Sequence, residues 1–159
     1  MYWASLRLMT MIFNTPHDLL GEEGTDLGVT DWQGITQERI NLFAEATGDH
    51  QWIHVDPDKA KEGPFGAPIA HGYLTLSLTN LFLPDLLQVS QVSMGINYGV
   101  NKVRFPSPVT VNSRVRGHGV ISEVTEIPGG VQVVVVLTVE IENNTKPACV
   151  VESISRFLA

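Results

Sequence analysis

An aspartate and a histidine five residues apart, Asp49 and His54, follow directly on Thr47-Gly48, and a second histidine precedes a glycine at Ala70-His71-Gly72. A carboxylate and an imidazole that share a water molecule can hold it and move its proton. Backbone N–H groups at the start of a helix can carry a developing negative oxygen. Together these residue types suit the addition or removal of water next to a polarised carbonyl. On spacing alone, Asp49 also reads as a turn residue and His54 as a satisfied, part-buried histidine. His50, His54 and His71 with Asp49 and Asp56 raise a metal site, but their spacing matches no standard zinc pattern, and no metal is expected.

The elements that must position these residues are legible in part. Thr36 is a good N-cap, Glu38 suits the positive end of a helix, and Ile40, Phe43 and Ala44 follow helical spacing. Gly48 fits the left-handed position that ends such a helix, so Asp49 begins the following loop. Asp56 and Pro57 mark a second helix start, with Asp56 and Asp58 read as capping and solvated residues. From 72 to 83 apolar residues alternate, yet the leucine content, the length and a stop at Pro84 favour a buried helix. The second half reads as strands at 89–98, 102–105, 109–126, 131–142 and 149–158, with turns at Pro128-Gly129-Gly130 and Asn143-Asn144. The valine run at 131–137 would be hazardous on a sheet edge and is expected in its centre. Residues 14–34, rich in Gly, Asp and Thr, are expected to be irregular. The simplest solution is α+β: a long helix on one face of a curved antiparallel sheet, with an N-terminal extension and lead-in over 1–34 and the folded domain over 35–159.

Bulk properties narrow the function classes. The chain has 159 residues, 43% hydrophobic, with a formal net charge of −7. That is one domain with a proper core, without the basic face of a nucleic-acid-binding protein. Local Arg and Lys can still meet the phosphates of a carrier such as coenzyme A. The single cysteine, Cys149, forms no intrachain disulfide and reads as a buried strand residue. Residues 1–13 are apolar but lack a clear cleavage site, and Met9 and Met11 raise a natural start further downstream. No segment is long and apolar enough to span a membrane, and a cytoplasmic protein is expected.

Phe43, Thr47, Gly48, Asp49, His54 and Ala60, at their spacing here, resemble the hydratase motif of the MaoC-like (R)-specific enoyl-CoA hydratases. Ile69-Ala70-His71-Gly72 is similar to the start of that family's central helix, and Arg104-Phe105 with Pro108-Val109 resembles a later strand signature. The resemblance covers roughly residues 35–158. It implies a hot-dog fold, in which a sheet wraps a central helix, and a homodimer formed through that sheet. It also implies reversible addition of water to a trans-2-enoyl thioester, giving an (R)-3-hydroxyacyl thioester. Asp49 and His54 match the catalytic positions, and Gly72 matches through its backbone N–H. The thioester would arrive on coenzyme A or an acyl carrier protein, with no metal or organic cofactor. His71, which positions the loop before Gly72, joins Gln51, Asn80, Lys102 and Arg104 as a candidate substrate-binding residue. Lys102 and Arg104 fit a solvated sheet edge equally well. Gln51-Trp52 stands where many relatives have Asn-Pro, and Asn80 where some place a serine that orients the carboxylate. Two rival readings keep the fold: an acyl-CoA thioesterase, and a non-catalytic acyl-thioester-binding or assembly module like the nodulation protein N relatives.

Overall fold

In a computed structural model describing residues 9–159, the valine-rich run lies in β7, Gly130–Ile141, between β6 (Arg114–Ile127) and β8 (Cys149–Leu158). It is central, as its composition demands. The reading of residues 1–13 falls largely outside the described residues. Strict alternation sends Val131, Val133, Val135, Leu137 and Val139 of β7 inward, all buried. On the opposite face Arg116 meets Glu140 at 2.7 Å, His118 meets Asp26 at 2.8 Å, and Arg114 pairs with Glu142. The backbone N–H of Gly28 is the main reason the Asp26 carboxyl sits below its usual range.

The sheet is antiparallel, in the order β2-β6-β7-β8-β5, with β2 at Asp26–Val29, β5 at Met94–Arg104, and β3 at Gln33–Gly34 also pairing with β6. Residues 14–34 are therefore not irregular. A 3-10 turn at Pro16–Leu19 buries Leu19, and two strands from this stretch join the sheet, which reaches back across residue 35. The strands expected at 89–98 and 102–105 are corrected too. β4 (Leu87–Val89) pairs in parallel with β1 (Met11–Phe13), and a bend separates it from the single long β5.

On the inner face lies the long helix, as α4 (Gly72–Ser77) and α5 (Thr79–Leu86), joined through Leu78, whose backbone stays helical. Leu74, Leu78, Phe82 and Leu86 are its buried apolar residues, at helical spacing. Pro84 does not stop it. A proline loses the N–H that would reach four residues back and crowds the carbonyl there, and the buried pair Phe82 and Leu86 holds the last turn in place. The closest approach of helix to sheet is at Gly117 of β6, where a Cβ would lie 2.7 Å from that of Phe82. Gly119 faces Leu86 in the same way, at 3.0 Å. Two glycines thus set how deep the helix sits.

The remaining helices are α1 (Gln37–Thr47), α2 (Trp52–Val55) and α3 (Pro57–Lys61). The expected turns form with positive φ at Gly129 and Asn143. Cys149 is fully buried, and burial pushes its thiol up to about 11.

Gly117→Ala forces Phe82 and its helix outward and should cost about 1–3 kcal/mol in denaturant unfolding. Gly34→Ala, at a site where a Cβ meets nothing within 4 Å, should stay within about 0.5 kcal/mol of the parent.

Candidate active site

Each catalytic candidate is placed by local chemistry. The Thr36 side chain accepts from the Arg39 N–H and starts α1, while Ile40 and Ala44 anchor that helix in the core. Gly48 ends it in the left-handed region, φ 81°, with its N–H on the Ala44 carbonyl at 2.8 Å. Asp49 follows at once, exposed, with Oδ1 accepting from the Gln51 N–H at 3.3 Å. The short α2 then turns His54 inward, to 6% exposure. Gln37 of α1 holds this turn by donating from Nε2 to the His54 carbonyl at 2.7 Å.

From the other side comes the strip 69–71. The Ile69 N–H donates to the Ile53 carbonyl at 3.0 Å, and the Ala70 N–H to the Val109 carbonyl at 2.8 Å. His54 Nδ1 lies 2.7 Å from the Ile69 carbonyl. A carbonyl only accepts, so Nδ1 carries the hydrogen and the Nε2 of neutral His54 keeps its lone pair. His71 Nε2 lies 2.9 Å from the backbone carbonyl of Asp49, so by the same reasoning His71 holds its hydrogen on Nε2. The two imidazoles stack, with centroids 3.9 Å apart and planes inclined by 23°, and the Phe43 ring lies 5.0 Å from that of His71.

Asp49, His54 and Gly72, the residues expected to carry chemistry, line one open pocket of about 430 Å³. His71 lines it too, together with Phe43, Thr47, Tyr73 and Phe105. Phe105 packs over Gly72, whose missing Cβ would lie 3.2 Å from the Phe105 ring, so only glycine leaves the first turn of α4 this close to an aromatic wall. Tyr73 and Phe105 were not singled out by residue chemistry. The signal for each was adjacency, one beside Gly72 and the other beside Arg104. Gln51 is exposed at the start of α2.

Asn80 lies elsewhere. It accepts from the Asn97 side-chain amide at 2.6 Å and lines a second cavity of about 280 Å³, with Leu83, Pro84, Val133 and Phe157 among its walls. Lys102 and Arg104 are exposed on β5, Arg104 donating to the Val103 carbonyl at 2.7 Å.

The donor atoms of Asp49, His54 and His71 lie within 4.8 Å of one another, close enough to raise a metal ion. Stacking argues against it. Lone pairs in two nearly parallel rings run side by side and do not converge on one ion about 2.1 Å away.

His71 is 2% exposed, and its Nδ1 is buried without a hydrogen-bond partner. Burial is the main cause holding this imidazole below its ordinary 6.5, with the neighbouring His54 acting in the same direction and the Asp49 carbonyl opposing.

Residues 19–144 match the family model described as MaoC like domain. The chain is 52% identical over 148 residues to 3-hydroxyacyl-thioester dehydratase Z of Mycobacterium tuberculosis, covering 92% of this chain and 98% of that protein. It is 46% identical over 135 residues to nodulation protein N of Rhizobium leguminosarum bv. viciae, covering 82% and 83% of the two chains. Among solved structures, the R-hydratase PhaJ1 of Pseudomonas aeruginosa superposes with a TM-score of 0.74 at 23% identity, over 91% of this chain and 86% of that one. The fold is the α+β hot-dog arrangement expected from the sequence.

An unfolded His71 takes up a proton as the pH falls through about 6.5, whereas the folded one resists. Its contribution to stability is full above that value and is lost as the pH drops below it. Denaturant unfolding should therefore show a loss of stability as the pH falls below about 6.5, and His71→Gln should flatten that loss. Losses from carboxylates such as Asp26 fall at lower pH.

Proposed function

The chain belongs to the MaoC-like domain family, and on that footing we propose that it is a 3-hydroxyacyl-thioester dehydratase working on (R)-3-hydroxyacyl and trans-2-enoyl thioesters. The observation that supports this most directly is the meeting of Asp49, His54 and Gly72 in one pocket. The 52% identity to a dehydratase along nearly its whole length supports the reaction class.

In the hydration direction the conjugated C3 is electrophilic only when charge on the thioester oxygen is stabilised. The N–H of Gly72, at the first turn of the helix, does this and contributes roughly 2.7–4 kcal/mol by comparison with other oxyanion holes. A water between Asp49 and His54 Nε2 meets two acceptors and turns its oxygen towards C3. As the C3–O bond forms, its proton passes to the Asp49/His54 pair, and the pair returns a proton to C2. Dehydration runs the same path backwards. The two groups are close enough to titrate as a pair. Every step uses protein groups, water and the thioester alone.

The substrate arrives as a thioester of coenzyme A or of an acyl carrier protein. Lys102 and Arg104, exposed on the strand leading to Phe105, would meet its phosphates in this reading. β5 also supports the expected homodimer. It ends the sheet, and the apolar side chains Met94, Ile96, Tyr98 and Val100 on it are all exposed. A long apolar edge of this kind calls for a partner. Tyr73, also on the pocket wall, is 71% exposed. No helix among the described residues is long and apolar enough to cross a membrane. A cytoplasmic place of work is part of the proposal.

Loss of conjugated-thioester absorbance from a trans-2-enoyl-CoA should be rapid with the parent protein. Asp49→Asn and His54→Ala should each slow it by about 10²–10⁴-fold while the protein remains folded, the loss of the buried His54 ring lowering the unfolding temperature and the exposed Asp49 change leaving it unmoved. Full activity in either variant removes that residue from the mechanism. Prolonged treatment with a chelator should leave the rate unchanged.

A further inference from the structure

We infer that His71 is a positioning residue for the proposed reaction, an uncharged imidazole that holds the Asp49 loop through its Nε2–H and the His54 ring through its face. The inference rests on the dehydratase reading and assigns a task to the one buried polar side-chain atom, among the described residues, that lacks a partner.

Asp49 needs such a tether. It is exposed, and its carboxylate receives only a long contact from the Gln51 N–H, at 3.3 Å. The bond that ties its backbone across the fold is the 2.9 Å contact with His71, from a residue 22 positions later and directly before Gly72. The same side chain stacks on His54 at 3.9 Å. One ring therefore relates the carboxylate, the imidazole and the helix start to one another.

Histidine is the smallest side chain that combines a flat face with a ring N–H donor. A phenylalanine would supply the flat face without the donor. A glutamine would supply a donor at the Nε2 position without the face. The unpartnered Nδ1 follows from this choice: with the hydrogen fixed on Nε2, Nδ1 is left as a bare lone pair in the interior. Leaving a buried acceptor bare costs stability, so the nitrogen is tolerated and is not itself the reason for the residue.

The charge state follows as well. The titratable groups around His71 are His54 against its face, Asp49 at its edge, and His50 further along the same loop. A proton on Nδ1 would be an unpartnered donor in the interior, beside an imidazole of the pair that handles the proton during turnover. Of two stacked imidazoles only one can readily be charged, and an uncharged His71 leaves that role to His54.

The test is steady-state hydration of a trans-2-enoyl-CoA by the parent and by His71→Ala, His71→Gln and His71→Phe. His71→Ala should lose about a hundredfold in kcat, the scale of a misplaced catalytic group, with KM held within about threefold. His71→Gln and His71→Phe should each recover about tenfold of this, since each restores one of the two contacts. If His71→Ala does not fold, the other two carry the test, each lying about tenfold below the parent in kcat. A kcat within about threefold of the parent in every variant that folds, or a loss confined to KM, overturns the proposal. Imidazole nitrogen NMR of the parent, without substrate, should show His71 hydrogen-bearing at Nε2 and mostly uncharged at pH 6.5, where an ordinary histidine is half charged. A hydrogen on Nδ1 or a cation there overturns it as well. A parent protein that consumes no enoyl thioester contradicts the dehydratase reading, and the NMR spectrum then decides the His71 assignment on its own.

Discussion

The site depends on a pair of stacked imidazoles whose outer nitrogens are already committed. His54 gives its Nδ1–H to the Ile69 carbonyl, and His71 gives its Nε2–H to the Asp49 carbonyl. These two bonds cross between the loop after α1 and the strip before α4, so each segment holds a ring of the other. Because a carbonyl accepts and never donates, the bonds also fix both tautomers. The free lone pair of His54 is thereby pointed to chemistry and that of His71 is buried. An isolated Asp and His on a surface loop would have neither the separation nor the protonation pattern that water activation needs.

That arrangement is only as firm as the helix start it leans on. Gly72 stands at the first turn of α4, and α4 continues through Leu78 into α5, whose Phe82 and Leu86 rest on Gly117 and Gly119 of β6. The depth of this contact sets where the helix begins, and Val109 holds the incoming strip through the Ala70 N–H. Sheet, helix and pocket form one mechanical chain, in which a methyl group added beneath Phe82 acts on a site at the far end of the same helix. The buried face of β7 supplies the wall against which the chain is braced.

What was legible in the sequence was local. Thr36, Gly48, Asp56 and Pro57 act within a few residues of themselves, and each does in the structure what its side chain dictates. The central place of β7 was legible because a run of valines has only one safe position in a sheet. The readings that failed needed tertiary information. Pro84 was read as a stop, yet the proline sits inside α5 because the core holds Phe82 and Leu86 on either side of it. Residues 26–29 look irregular in composition, but β6 offers them an edge to pair with. The bond from Asn97 to Asn80, the Phe105 ring over Gly72 and the stacking of His71 on His54 join residues 17 to 33 positions apart, and no periodicity announces them. The proposed catalytic pair stands out through spacing and resemblance, whereas His71, which contacts both of its members, stands out only as the neighbour of a glycine.

The most direct test of the central claim is to follow the atoms. Incubating the protein with a trans-2-enoyl-CoA in heavy-oxygen, deuterated water and analysing the product by mass spectrometry and NMR reports each step separately. The account predicts one heavy oxygen at C3, one solvent-derived deuterium at C2, (R) configuration at C3 and an intact thioester. Heavy oxygen in a free carboxylate, with release of the thiol, would show attack at the carbonyl and contradict the account.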